Sequence, residues 1–372
     1  MMRICSPQLG IAPDATLGGE VYDRETLIEL AKLGVECELL LPKAAAAPDV
    51  AGWRLTRLPL RRGYRWFVSN PLFVPFIGQV YRERPFHLLR VHSPRFIGFA
   101  AHWAKKLYKL PIPIVMHHHH LDFDRWTQHV DRRAMQHADL IITGSRFARN
   151  QLLQAFALSP DKVVVTPYGV SDSYQPVSTS EKQRLRTEYG FGASPLLLHV
   201  GSLIPRKNLP LLFRVLYQVS HLFPTTKLLL VGRGPEQDTL QQLAHQLRLT
   251  DRIHFAGHLS ETAKHHYYQM ADLLVTTSLM EGFGLAVAEA MACGAPAVAS
   301  RVGSLPELIN DQETGMLVSV NNQDAFTAAI CTLLQDETRI QAMRQAGIER
   351  INQQFRWPIT AKETLKFYQQ VL

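Results

Sequence analysis

Short, almost unbroken apolar runs recur along this chain, each followed by a loop and then by a segment of helical character. Arg3-Ile-Cys-Ser6, Val35 to Leu41, His87 to His92, Ile112 to Met116, Asp139 to Thr143 and Val163 to Thr166 form one such series. Leu196–Val200, Lys227–Val231, Ile253–Phe255, Leu273–Thr276, Ala297–Ser300 and Met316–Val318 form a second. Strands this apolar must be covered on both faces, which is the signature of a parallel sheet wrapped by helices. The stretch 171–193 between the series is polar and rich in Ser and Thr, and reads as a linker with one helix. A chain of 372 residues is also too long for one ordinary core. The expectation is an α/β protein of two Rossmann-like doubly wound domains, 1–170 and 194–355.

Composition excludes several classes. An apolar content of 46% and a charged content of 19% describe an ordinary globular chain. No run of about 18 apolar residues predicts a membrane-spanning helix. The opening Met1-Met2-Arg-Ile-Cys leads straight into a strand, so no leader is expected. The four cysteines, Cys5, Cys37, Cys293 and Cys331, are scattered, which predicts neither disulfides nor a zinc site and suits a reducing cytosol. The net charge of +8 is concentrated. Arg54, Arg57, Arg61, Arg62 and Arg65 interleave with Trp53, Tyr64, Trp66 and Phe67, and Arg82, Arg84, Lys105, Lys106 and Lys109 follow. With Pro71-Leu-Phe-Val-Pro-Phe-Ile77 alongside, this region suggests an anionic membrane surface. No nucleic-acid motif accompanies it, so nucleic acid is not an expected partner.

Chemistry concentrates in the second half. The apolar run Asp272 to Ser278 ends in Glu281-Gly-Phe-Gly-Leu-Ala-Val-Ala-Glu289, and Gly294 with Pro296 marks the helix stop. This predicts strand, glycine loop, helix, strand. The backbone N–H groups of Phe283, Gly284 and Leu285 would then lie at a helix N-terminus, where a phosphate is favoured. Glu281 precedes the helix and Glu289 lies on it, one turn beyond Leu285. Two carboxylates beside an anion site exceed what helix stability needs. Gly201-Ser-Leu-Ile-Pro-Arg206-Lys207-Asn208 follows another strand, and its guanidinium and ammonium suit a diphosphate.

The segment from Ser278 to Pro296 closely resembles the Glu-x7-Glu signature of the retaining nucleotide-sugar glycosyltransferases of family GT4, which have the GT-B fold. The resemblance covers nearly the whole chain and is most specific from Gly201 to Gly315. It implies that Glu289 holds the ribose hydroxyls and Glu281 those of the donor sugar. Arg206 and Lys207 would stabilise the departing diphosphate, so that no metal and no cofactor is required. Gly18 and Gly19 resemble the N-terminal glycine loop that faces the donor. Gly201 and Gly232 belong to the glycine turns, and Leu259 lies where the family receives the base through backbone groups. A family histidine on the active-site floor falls at His119 when counted from Pro113, with His117, His118 and His120 as neighbouring registers. Pro167-Tyr-Gly-Val170 resembles the family's Pro-Asn-Gly-Val turn. Residues 356–372 resemble the helix that crosses back to the N-terminal domain, and the two domains are expected to share one cleft.

The implied activity is transfer of a hexose or mannose-like sugar from a nucleoside diphosphate donor to an acceptor hydroxyl, of a lipid-linked or cell-envelope glycan. A cytoplasmic protein on the inner face of the membrane follows. A nucleotide-sugar epimerase and a non-catalytic sugar-nucleotide-binding partner protein are the competing classes, since the fold alone serves all three.

Overall fold

The computed structural model describes residues 1–14, 18–59, 69–119 and 125–372. Arg61, Arg62, Tyr64, Arg65, Trp66, Phe67 and His120, singled out above, lie outside them. The chain divides into two compact units, residues 1–169 with 357–372, and residues 170–356. Residues 171–193, expected as a separate linker, are counted in the second unit. Their helix Thr179–Glu188 is tied there, where Arg186 donates to the Met270 carbonyl at 2.6 Å and Lys182 to that of Ala271 at 2.8 Å.

The first unit is a seven-stranded parallel sheet: β1 Arg3–Pro7, β2 Glu36–Pro42, β3 Trp53–Leu58, β4 Leu88–Val91, β5 Ile114–His118, β6 Leu140–Thr143 and β7 Val163–Val165. Their order across the sheet is β3-β2-β1-β4-β5-β6-β7. Apolar cores cover both faces. One is built on Phe73, Ile77, Leu89, Ile114 and Ile141, the other on Ile4, Leu27, Leu39, Val115 and Tyr368. β3 and the helix Ser69–Glu83 occupy the region read as a basic-aromatic surface. Phe73, Val74 and Ile77 belong to the core there, so they are not the exposed apolar partners of a membrane surface. A period of 3.6 explains the misreading, because a run of apolar residues need not share one exposed face.

The second unit repeats the plan with β8 Leu196–Val200, β9 Lys227–Val231, β10 Ile253–Gly257, β11 Leu273–Thr276, β12 Ala297–Ser300 and β13 Gly315–Val318. All pair in parallel, in the order β10-β9-β8-β11-β12-β13. In each sheet the winding reverses beside its first strand, between β1 and β4 and between β8 and β11. Loops leaving the carboxyl ends of two such strands diverge to opposite faces, which opens a crevice for a ligand. No helix among the described residues is long and apolar enough to cross a membrane.

Candidate active site

In the second unit, the switch point between β8 and β11 brings together residues far apart in sequence. The loop after β8 carries Gly201, Arg206 and Lys207, and the loop after β11 carries Ser278 to Glu281. Backbone bonds stitch them, since the Leu279 N–H donates to the Arg206 carbonyl at 2.8 Å. Thr277 Oγ1 donates to the carbonyls of Lys207 and Asn208 at 3.1 and 3.0 Å. Lys207 Nζ then meets Glu281 Oε1 at 2.5 Å across 74 positions of sequence. Ser278 Oγ donates to the same oxygen at 2.7 Å. Arg206 Nη1 lies 3.7 Å from Glu281 Oε2 and donates to the Met280 carbonyl at 2.7 Å.

Glu281 is only 8% exposed. Burial alone would push its carboxyl up, but the Lys207 ammonium, the Ser278 hydroxyl and Arg206 hold it below the usual carboxylate range. It is therefore an ionised acceptor whose lone pairs face cations. Its backbone is fixed as well, because Ser304 N–H donates to the Glu281 carbonyl at 3.2 Å.

The helix Leu285–Ala292 begins at Gly284, whose φ of +91° only glycine adopts without strain. Its Cys293 and Gly294 cap closes the other end, with the Gly294 N–H on the Met291 carbonyl at 3.0 Å. Glu289, 7% exposed, is not a solvated helical residue. Tyr268 on the helix Glu261–Met270 donates its hydroxyl to Glu289 Oε2 at 2.6 Å, and Lys264 Nζ lies 3.8 Å from Oε1. Burial raises the Glu289 carboxyl above its ordinary value, and Lys264 and Tyr268 offset only part of that. The two carboxylates thus have opposite electrostatic settings on one loop-helix unit. Phe283 is buried, with its ring 6.0 Å from that of Phe355, and Leu285 is half-buried. Leu259 is half-buried in the loop between β10 and the helix Glu261–Met270.

The glycines have separate reasons. Gly201 leaves room for the lysine: a Cβ there would sit 3.2 Å from Lys207 Cε and 3.4 Å from His199 Nε2. Gly232 adopts φ +138°, and a Cβ on it would run into the Gly201 carbonyl, so the two turns pack directly on each other.

The first unit carries the remaining sequence-selected residues. His117 and His118 are buried members of β5. His117 Nε2 is bonded to Tyr368 Oη at 2.8 Å, and burial drives its ring well below the usual imidazole range. His119 follows the strand, half-buried, with Nδ1 at 3.0 Å from Tyr168 Oη. Gly18 and Gly19 open the helix Gly18–Lys32, and a Cβ on Gly19 would touch His119 Cβ at 3.5 Å. Tyr168 is the residue that stands where the family turn has asparagine, and the Tyr22 ring packs 4.2 Å from that of His119.

Reasoning from sequence did not single out Tyr268, Lys264 or His199. Tyr268 and Lys264 lie on an ordinary-looking helix, and His199 sits inside an apolar strand. Only Tyr268's distance of 21 positions from Glu289 would have hinted at anything, and such spacing carries no pattern. Among the described residues, no three His, Cys, Asp or Glu side chains come together as a metal cage.

Two family models match the chain. Glycosyltransferase Family 4 covers residues 17–174 and Glycosyl transferases group 1 covers residues 181–350. A GDP-mannose-dependent alpha-(1-6)-phosphatidylinositol monomannoside mannosyltransferase of Mycolicibacterium smegmatis is 33% identical over 58% of this chain and 58% of its own length. O-antigen chain mannosyltransferase B of Escherichia coli is 32% identical over 68% of this chain and 66% of its own. The chain thus spans less than two thirds of either curated relative. The structure of a sucrose-phosphate synthase from Thermosynechococcus elongatus superposes with a TM-score of 0.81 at 22% identity, covering 100% of this chain and 99% of that one. At that identity the likeness speaks for the architecture, two parallel-sheet Rossmann-like domains. The chain belongs to the family 4 glycosyltransferases, of the GT-B fold.

Proposed function

We propose that this chain transfers a hexosyl group, with mannose the first candidate, from a nucleoside diphosphate donor to an acceptor hydroxyl with retention of configuration. The observation that carries the reading is the Lys207–Glu281 pair at the β8/β11 switch point, with Arg206 beside it and Glu289 one helix further. An ammonium and a guanidinium there can neutralise a diphosphate, while Glu281 accepts hydrogen bonds from sugar hydroxyls and Glu289 from the ribose. The bond between the anomeric carbon and the phosphate oxygen breaks as the cations take up its charge. The acceptor oxygen attacks from the same face and its proton passes to the departing phosphate. His119 is proposed to line the sugar's side in the first unit, with Gly18 and Gly19.

The backbone groups of Phe283, Gly284 and Leu285 are proposed for the phosphates, Gly201 and Gly232 for close approach of the backbone, and Leu259 for the base. No metal is needed in this scheme, because the two cations supply the charge. The sequence holds one Asp-x-Asp pair, Asp122 and Asp124, and it lies outside the described residues. Mannose transfer unchanged by a chelator, and unchanged again on adding magnesium, is the expected behaviour; loss in the chelator would overturn the metal-free scheme.

The donor is tested by thermal shift with GDP, UDP, ADP and CDP and their common sugar adducts. Saturation at about 100 times the dissociation constant adds about 2.7 kcal/mol and raises the midpoint by several degrees. GDP-mannose is expected to give the largest shift, since both curated relatives are named mannosyltransferases and one of them GDP-mannose-dependent. No shift with any diphosphate would sink the transferase reading and advance the partner-protein one.

We further propose a lipid-linked or envelope glycan as acceptor, used at the cytoplasmic membrane surface. The four cysteines are free and buried, which suits a reducing compartment. Around the helix Phe99–Leu107, Trp103 and Leu107 are exposed beside Lys106 and Lys109. Flotation with vesicles containing anionic lipid, and none with neutral vesicles, is the expected result. Equal recovery from both would remove the membrane.

A further inference from the structure

Beneath the proposed diphosphate site lies a histidine that packing does not explain. His199 is the penultimate residue of β8 and is 1% exposed. Its Nδ1 lies 3.1 Å from the Val275 carbonyl of β11, across the switch point. A carbonyl oxygen can only accept, so Nδ1 carries the ring proton and Nε2 of the neutral ring is a bare lone pair. That Nε2 is buried and has no hydrogen-bond partner among the described residues. An apolar side chain would fill the same space without burying an acceptor.

The lone pair borders the same small space as the Lys207 side chain. The point where a Cβ on Gly201 would sit is 3.4 Å from His199 Nε2, 3.2 Å from Lys207 Cε and 3.6 Å from Lys207 Nζ. The absent side chain of Gly201 is what lets imidazole and ammonium approach the same space. Lys207 has three N–H donors, and one is spent on Glu281.

We propose that His199 is a positioning residue for Lys207: its Nε2 accepts a hydrogen bond from the ammonium when a bound diphosphate draws it off Glu281. This rests on the transferase reading above and adds to it what holds the cation in place. A lysine head on a four-carbon stem is a loosely directed charge. Anchoring one N–H to the strand beneath leaves the others facing the phosphate, and Glu281 is released to the sugar. Burial first, and the Lys207 charge second, push the imidazole down to about 4, so the ring stays neutral and does not repel the ammonium.

The test is calorimetric titration of GDP and GMP, and of UDP and UMP, into wild type, His199→Asn and His199→Gln. Asparagine can still reach the Val275 carbonyl but places nothing at the Nε2 position, whereas glutamine can put its amide oxygen there. Roughly a ten-fold loss of diphosphate affinity is expected in His199→Asn, the scale of one charge-assisted hydrogen bond. Monophosphate affinity should be unchanged, and His199→Gln should recover the diphosphate. A merely structural role would weaken both nucleotides together. That result, or diphosphate binding unaltered in a folded His199→Asn, overturns the proposal. Should His199→Asn not fold, a His199→Gln protein preferring diphosphate as wild type does supports it, and one that has lost the preference overturns it. A wild type with no preference for diphosphate over monophosphate would instead overturn the reading of the site itself.

Discussion

Replacing Lys207 by methionine is expected to lower turnover by on the order of 10²–10³-fold with a far smaller change in donor KM. The reason is that the charge Lys207 faces develops as the diphosphate departs, so the lost contact belongs to the transition state more than to the bound donor. Steady-state kinetics with the donor identified by thermal shift would read this directly. A loss confined to KM would mean that Lys207 only binds. The same substitution has a signature in stability. Glu281 is 8% exposed and its carboxyl is held below the ordinary range in the wild type. A depressed folded value contributes stability above the unfolded carboxyl pKa, lost as pH falls through the folded one. Without Lys207 its two lowering contributions go and the folded value moves up, so less of this stability remains. The melting-temperature gap between wild type and Lys207→Met should therefore widen from pH 4 to pH 7. Adding Glu281→Gln to Lys207→Met should narrow that gap without restoring turnover, because it removes a buried charge that has lost its nearest cation.

Glu289→Gln is expected to separate binding from stability in the opposite direction. Loss of the carboxylate that receives the ribose hydroxyls should weaken nucleotide affinity by about 10²-fold, the scale of hydrogen bonds to a charged acceptor. Yet the empty protein should melt higher. Burial raises the folded carboxyl of Glu289, so in its ionised form it opposes folding, with Lys264 at 3.8 Å and the Tyr268 hydroxyl at 2.6 Å only partial relief. The glutamine keeps the shape and an acceptor for Tyr268. The gain over wild type should be absent below the ordinary carboxyl value, grow as pH rises to the folded value, and then level off. Calorimetry of the ligand-free proteins at pH 4 and pH 7 checks the sign. A variant less stable than wild type at pH 7 would mean that the ionised carboxylate is fully compensated.

The strands were legible because burial on both faces leaves no alternative to a continuous apolar run, and Leu196–Val200 or Ala297–Ser300 has no other reading. β3 and the helix Ser69–Glu83 were not, since their arginines and aromatics masked the helical period that sends Phe73 and Ile77 inward. The partition of the histidine run was also hidden. Charge and polarity suggest a loop, while β5 in fact continues through His118, with the Tyr368 hydroxyl on His117. In the site, Glu281 and Glu289 stood out because a glycine loop between carboxylates has a local pattern. Lys207 stood out on its own loop, but its contact with Glu281 did not, and Tyr268 was not visible at all, because both contacts are made through tertiary structure. His199 was the least visible of all: a single polar residue in a strand looks like tolerance, and only the orphaned Nε2 beside Gly201 marks it otherwise.

The helix Trp357–Gln370 belongs to the first unit although it follows the second in the chain. It packs on the helix Gly18–Lys32, buries Ala361 and Tyr368 in the core with Ile4 and Leu39, and sets the Tyr368 hydroxyl against the fully buried Arg90. On the ribosome, then, the amino-terminal half cannot finish first. It emerges with one wall missing and with Arg90 held by Asp23 and Ser6 but not by Tyr368, and waits while residues 170–356 are read out, roughly ten to forty seconds at about 5–20 residues per second. The contiguous second unit can close on its own meanwhile. Birth order and completion order are inverted, and a sheet with part of one face uncovered is the species a chaperone would meet.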